Sequence, residues 1–105
     1  MVRPPVDVVA LVDTGAARSV LQQGLAAELG LNTVGSVEID TPSSKNLTAL
    51  EYMIRVWFND RFVLEAKAME APLPVPRIRL LLGRDLLAHG TFTYLGREGE
   101  FQLTF

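Results

Sequence analysis

Residues 10–16 read Ala-Leu-Val-Asp-Thr-Gly-Ala, so that an apolar run meets an acid, a small hydroxyl residue and a glycine in immediate succession. An acid at the end of a hydrophobic strand, here Asp13, is poorly solvated and responds strongly to a second charge. Thr14 can hydrogen-bond locally, and Gly15 lets the backbone turn sharply and approach a substrate closely. Two interpretations are open at this point: half of an active site, or an ordinary strand-to-turn junction, in which these residue types are common.

The composition around this stretch is that of a small globular domain. The chain has 105 residues, of which 49% are hydrophobic and 21% charged, with 12 acidic and 10 basic side chains. This length predicts a single domain over residues 1–105, for which self-association would add valuable burial. The net charge of −2, with no cluster of basic residues, argues against nucleic acid as a partner.

The residue inventory narrows the chemistry further. The absence of cysteine excludes disulfides, thiolate metal sites and a cysteine nucleophile, and one histidine leaves little room for metal binding, so we expect no cofactor. No run approaches the roughly 20 apolar residues of a membrane span, and no leader pattern is present. We therefore expect a soluble protein, with the cytoplasm favoured. Arg3, Pro4 and Pro5 are typical of a linker's end, which leaves open excision from a longer chain.

The hydrophobic pattern predicts a mainly β chain. The expected elements are a strand buried on both sides over 6–13, a short strand over 18–21, a helix over 22–29, strands over 34–40, 47–58, 61–69 and 78–82, a short helix over 84–89, and a closing hairpin over 91–105. Gly30 and Leu31 predict the C-terminal cap of the first helix. Alternating prolines over 72–76 predict an extended connector that cannot form a central strand.

A polar segment separates the third and fourth of these strands. Residues 41–46 read Thr-Pro-Ser-Ser-Lys-Asn between two longer alternating runs. Such a tip should project from the body of the protein and would suit a flexible cover over a groove. A solvated hairpin without a role is the alternative, since polar tips are common.

Two stretches together resemble the retropepsin-like (retroviral-type) aspartic proteases. Residues 11–16, Leu-Val-Asp-Thr-Gly-Ala, are similar to the family's catalytic signature. Residues 81–87, Leu-Leu-Gly-Arg-Asp-Leu-Leu, are similar to the strand and helix that support it. The order of these stretches, with a hairpin and a proline connector between them, matches a retroviral protease protomer. The helix near Leu25 and the closing hairpin look more like the bacterial single-domain type.

The resemblance implies a closed, antiparallel, barrel-like fold and a homodimer that forms one active site at its two-fold axis. Asp13 of each chain would then be catalytic, activating a water between the two carboxylates to hydrolyse a peptide or protein substrate. Catalytic support is implied for Thr14 and Gly15, and structural support of the site for Gly83, Arg84 and Asp85. The implied substrate-binding residues are Gly15, Ala16, Ala17, Arg18, Thr41, Pro42, Ser43 and Ser44.

Three features depart from the family pattern. The hairpin tip contains Pro42 and no glycine, whereas the family's flap is often rich in glycine. Ala17 stands where viral enzymes commonly carry an acid, so Arg84 needs another partner, either Asp85 or an acid of the second subunit. The chain ends also differ, and we expect the strand ending at Phe105 to take part in the intermolecular sheet. Two further hypotheses follow: a dimeric peptide-binding module with little or no turnover, and a domain that processes only itself.

Overall fold

The chain is mainly β, with two short helices. The computed structural model describes residues 4–41 and 44–105. In chain order the elements are β1 (Val9–Val12), β2 (Val20–Gln22), α1 (Leu25–Glu28), β3 (Gly35–Thr41), β4 (Ser44–Asn59), β5 (Phe62–Ala71), β6 (Ile78–Leu82), α2 (Arg84–Leu87), β7 (Thr91–Leu95) and β8 (Glu100–Thr104). The mainly β prediction and the order of elements are confirmed.

Six of the strands form one sheet in the order β1-β6-β2-β5-β4-β3, and β7 pairs with β8 in a second, two-stranded sheet. The pairs β1–β6 and β2–β5 are parallel, and the other pairs are antiparallel. Within the described residues the larger sheet is open, because β1 and β3 are its outer strands. The closed barrel implied by the resemblance therefore stays a prediction.

The first strand differs from the sequence-based expectation. β1 is shorter than the predicted 6–13 and pairs with β6 along one edge. Val9 is 55% exposed and Leu11 49% exposed. The prediction that this strand is buried on both sides is thus wrong for the single chain. An apolar run looks the same in the sequence whether its own chain covers it or whether it lies at the outside of a sheet.

The helix α1 is bounded by two glycines. Gly24 precedes it with φ 94°, a left-handed conformation, so the helix begins at Leu25 rather than at residue 22. Gly30 follows with φ 68°, and the Leu31 amide donates to the Ala26 carbonyl over 2.9 Å. This arrangement is the predicted C-terminal cap, in which a glycine just beyond the helix reverses the chain and an apolar residue packs back.

Half-buried and exposed side chains alternate along β5, with Phe62, Leu64 and Ala66 half-buried and their neighbours in sequence exposed, as the alternation of apolar residues in 61–69 predicts. The turn between β4 and β5 is fixed by the Arg61 amide, which donates to the Asn59 side chain over 2.8 Å. The proline connector after β5 forms no strand, as predicted.

One core lies between the larger sheet and the two helices. Its buried members are Leu21, Leu25, Ala26, Tyr52, Ile54, Ala68, Leu80, Leu82 and Leu86. Both helices contribute to it, so α2 is held against the same core that anchors β6. Packing therefore fixes the junction between β6 and α2.

The β7–β8 hairpin is anchored at its end and exposed along one face. The Phe105 ring stacks on Phe62 at a centroid distance of 5.0 Å. Tyr94 lies opposite Phe101, and these side chains are 67% and 54% exposed. A two-stranded sheet with an apolar face open to water is marginal by itself. No helix in residues 4–41 or 44–105 is long and apolar enough to cross a membrane.

Candidate active site

Asp13 lies immediately after β1, where the strand leaves the sheet. Its backbone amide donates to the Leu82 carbonyl of β6 over 2.9 Å. The half-buried carboxylate accepts a hydrogen bond from the Gly15 amide at Oδ1, also over 2.9 Å. A Cβ on Gly15 would lie 3.2 Å from this oxygen, tighter than an ordinary contact. The glycine therefore leaves room for the carboxylate to fold back onto its own loop.

The start of α2 braces the loop after Asp13. The Arg84 amide donates to the Ala16 carbonyl over 2.8 Å, and Arg84 Nη1 donates to the Thr14 carbonyl over 3.0 Å. Together these bonds satisfy two carbonyl groups of a loop that belongs to no strand or helix. Arg84 thus contacts the backbone of the signature itself.

Asp85 binds the other end of the loop. Its carboxylate accepts from the Ser19 amide over 2.9 Å and from Ser19 Oγ over 2.7 Å. Ser19 Oγ in turn accepts from the Gly83 amide over 3.1 Å, and the Ser19 side chain is fully buried. The ion pair expected between Arg84 and Asp85 is therefore not what the structure shows, because each side chain holds a different part of the loop.

Gly83 marks the closest approach between loop and α2. A Cβ built on this glycine would lie 2.5 Å from the carbonyl carbon and oxygen of Arg18, and 3.0 Å from the Ala16 oxygen. These are backbone atoms, which cannot swing aside. The glycine is required because two backbone segments meet here.

Arg18 links the loop to the neighbouring strands. Its Nη2 donates to Glu51 Oε2 over 2.6 Å and to the Lys67 carbonyl over 2.9 Å. Together with Glu65 and Asp85, these residues line a shallow groove. The guanidinium, expected at a substrate-binding position, is therefore bound to the base of the β3–β4 hairpin.

The predicted site residues fall into two groups. The four residues from Gly15 to Arg18 lie in the loop after Asp13 and Thr14; Ala16 and Arg18 are half-buried, and Gly15 and Ala17 are exposed. Thr41 ends β3 and Ser44 begins β4, whereas Pro42 and Ser43 lie outside the described residues. The structure thus places the first group in the loop of Asp13, and it places Thr41 and Ser44 at the facing ends of β3 and β4.

Two residues that sequence reasoning missed belong to this arrangement. Ser19 is a hydroxyl residue directly before an apolar strand, and only its burial shows that it is a structural anchor. Glu51 is an acid in a strand dominated by apolar residues, and this pattern could have indicated from the sequence that its carboxylate has a specific partner. Within the part of the chain that is described, no group of three or more acidic or histidine side chains is arranged to hold a metal ion.

An acid at a strand end, followed by Thr-Gly and braced by a Gly-Arg-Asp segment from a second strand and helix, is the arrangement expected of an aspartic protease protomer. A family model described as aspartyl protease matches residues 5–86. The chain belongs to this family, which is of the retropepsin-like kind. The match begins before β1 and ends within α2, so the β7–β8 hairpin lies beyond it. No curated protein and no solved structure gave a significant match.

Proposed function

We propose that this chain is one protomer of a homodimeric aspartic endopeptidase. The observation that carries the proposal is the position of Asp13 in a chain of the aspartyl protease family. Its carboxylate is half-buried at a strand end, and among residues 4–41 and 44–105 the Gly15 amide is the one group that donates to it. A carboxylate that accepts few hydrogen bonds from its own chain, and that a rigid loop holds in place, is suited to proton transfer.

The chemistry requires a second copy of the chain. Peptide hydrolysis by this route uses two carboxylates that share one proton, since like charges about 3 Å apart cannot both ionise. The chain carries one Asp-Thr-Gly signature, so the second carboxylate would be Asp13 of the partner. The exposed apolar side chains of β1 and of the β7–β8 hairpin support this proposal, because groups of exposed apolar side chains are typical of interaction sites.

In the proposed reaction, the ionised Asp13 takes a proton from a water molecule as the water oxygen attacks the scissile carbonyl carbon. The protonated Asp13 of the partner stabilises the developing oxyanion. The tetrahedral intermediate then collapses as Asp13 passes the proton it took from water to the leaving amide nitrogen and the C–N bond breaks, which leaves Asp13 ionised again. The two Asp13 carboxyl groups are sufficient for these proton transfers, and we assign no metal or cofactor to the reaction.

The remaining site residues would bind and enclose the peptide. Thr14 would hydrogen-bond across the dimer interface, and the backbone from Gly15 to Arg18 would face an extended substrate with apolar side chains beside the cleaved bond. The β3–β4 hairpin would cover the substrate and exclude water. The closed, barrel-like arrangement belongs to this proposal as well, with the chain acting as a single domain.

The test is cleavage of a peptide library by the full chain, followed by mass spectrometry across acidic and neutral pH. We expect cleavage that pepstatin, a mimic of the transition state, inhibits. Asp13→Asn should reduce kcat/KM by at least about 1,000-fold while the unfolding temperature stays within a few degrees, because the amide oxygen can still accept from Gly15. Sedimentation should show a dimer. A monomer at working concentration, or cleavage that survives Asp13→Asn, would contradict the proposal.

A second candidate is a dimeric peptide-binding module with little turnover. Ala17 and the absence of glycine from the sequence between Gly35 and Gly83 favour it, because both depart from the family pattern described above. Peptide binding without cleavage, with an affinity that Asp13→Asn leaves unchanged, would identify this function.

A further inference from the structure

Glu51 stands where the β3–β4 hairpin leaves the larger sheet. It pairs with Gly35 of β3 and also with Met69 of β5. On one side of Glu51, β4 continues along β5 inside the sheet. On the other side, residues 47–50 pair with β3 and not with β5. A change in the orientation of the hairpin therefore has to take place at this residue.

Contacts from two other segments converge on Glu51. Its backbone oxygen accepts from the Val34 amide over 2.8 Å and from Thr33 Oγ1 over 3.0 Å. Its carboxylate accepts from Arg18 Nη2 over 2.6 Å, and the two side chains are 13% and 31% exposed. A short charged hydrogen bond between partly buried groups is screened less by solvent than an exposed ion pair. The junction is thus held by more than strand pairing.

Gly35 provides the space for this contact. A Cβ on Gly35 would lie 2.9 Å from Glu51 Oε1, so any larger residue would push the carboxylate aside. The next glycine in the sequence is Gly83, beyond the end of β5. The backbone freedom that glycine gives the hairpin is therefore concentrated at its base, directly opposite Glu51.

Arg18 connects the junction to the loop of Asp13. It precedes Ser19, whose amide and hydroxyl both bind Asp85. Its carbonyl group packs against Gly83 at the start of α2. The backbone of Arg18 is thereby fixed to the core, and its side chain reaches from that fixed point to Glu51 at the base of the hairpin.

We infer that the Arg18–Glu51 ion pair positions the β3–β4 hairpin relative to the Asp13 loop and so sets how tightly a peptide is held. The inference rests on the proposed protease function, in which the hairpin covers the substrate. Arg18 and Glu51 are positioning residues, since neither takes part in bond cleavage. A misplaced hairpin weakens binding of the substrate and of the transition state alike, which raises KM and leaves kcat nearly unchanged.

Three variants disturb the pair in different ways. Glu51→Gln removes the charge and keeps the shape, Arg18→Met removes the donors, and Gly35→Ala displaces the carboxylate while both charged groups remain. Each should raise KM by about 5- to 10-fold with kcat within about twofold of the original. Arg18→Lys, which retains a charged donor, should restore most of the original KM.

The chain offers a matched control in a second ion pair, which joins β4 to β5. Arg55 Nε and Glu65 Oε1 are 3.0 Å apart, and the two side chains are 59% and 58% exposed. Arg55→Met makes the same chemical change as Arg18→Met at a residue that does not line the groove of Arg18, and it should leave KM and kcat unchanged.

A second measurement does not require turnover. The chain has no cysteine, so Glu38→Cys on β3 and Asp60→Cys in the β4–β5 turn accept spin labels at two defined exposed positions. Labelled chains diluted into unlabelled protein report the distance within one chain. Glu51→Gln and Gly35→Ala should broaden this distance distribution, and Arg55→Met should not.

The outcomes separate the two proposals. Variants that lower the unfolding temperature but leave KM and the distance distribution unchanged would overturn the positioning role, and so would a KM change without broadening. If the distribution broadens in a chain that cleaves no peptide, the positioning role stands and the protease function fails.

Discussion

The loop that carries Asp13 and the β3–β4 hairpin are held in opposite ways. The loop is bound along its length, by Leu82 at its start, by Arg84 in the middle and by Asp85 at Ser19. The hairpin is bound at its base, through Glu51, and beyond that residue its two strands pair with each other. One region is bound to the core along its length, and the other is paired with β5 only as far as Glu51.

This difference fits the demands of the proposed chemistry. Two carboxylates that share a proton must be placed within a fraction of an ångström, which requires a rigid support. A cover over an extended peptide must open to admit it and close to exclude water. The comparison predicts that a given type of substitution lowers the free energy of unfolding strongly where the residue supports the loop, and weakly where it lies in the hairpin.

The largest effect on stability is expected for a core residue behind the loop. Leu86 of α2 is fully buried in the core, so Leu86→Ala should lower the free energy of unfolding by about 4 kcal/mol through lost burial and the cavity left behind. Ile39 of the hairpin is half-buried, and Ile39→Ala should lower it by about 1 kcal/mol. Urea unfolding at one fixed protein concentration measures both. Equal losses would show that hairpin and core form one packed unit.

A somewhat smaller effect is expected where the loop meets α2. Gly83→Ala places a methyl group against the backbone of Arg18 and Ala16, which should lower the free energy of unfolding by about 2 to 3 kcal/mol. Gly96 in the β7–β8 turn provides the control, since a Cβ there would lie 3.6 Å from the Tyr94 ring, an ordinary contact. Gly96→Ala should change the free energy by less than about 0.5 kcal/mol. A tolerated Gly83→Ala would mean that the loop is not fixed against α2.

Much of this arrangement was predictable from local chemistry. The strand-end position of Asp13 follows from an apolar run that stops at an acid, and the cap of α1 follows from Gly30 and Leu31. The alternation along β5 gave the inward side chains correctly. In each case the signal lies within a few neighbouring residues, where backbone geometry and side-chain periodicity act directly.

The parts that the sequence did not reveal depend on contacts between distant segments. The partners of Arg84 and Asp85 were not predicted. The two charges could neutralise each other, but in the structure Arg84 binds the Thr14 carbonyl and Asp85 binds Ser19. Only the packing of α2 against the loop determines this choice. The ion pair between Arg18 and Glu51 joins residues that lie on separate elements. The exposure of β1 depends on which strands flank it, and composition alone carries no information about this.

The smallest of the three stability effects is expected for the buried hydroxyl of the loop. Ser19→Ala removes the donor to Asp85 Oδ1 and the acceptor of the Gly83 amide, while Asp85 keeps its bonds to the Ser19 and Leu86 amides. Because two buried polar groups each lose one partner, the free energy of unfolding should fall by about 1 to 2 kcal/mol. Ser36→Ala in the hairpin makes the same change at an exposed position and should have almost no effect. If both serines proved equally dispensable in urea unfolding, the hydrogen bonds around Ser19 would not be what fixes the loop, and its rigidity would have to come from the packing of Leu86 alone.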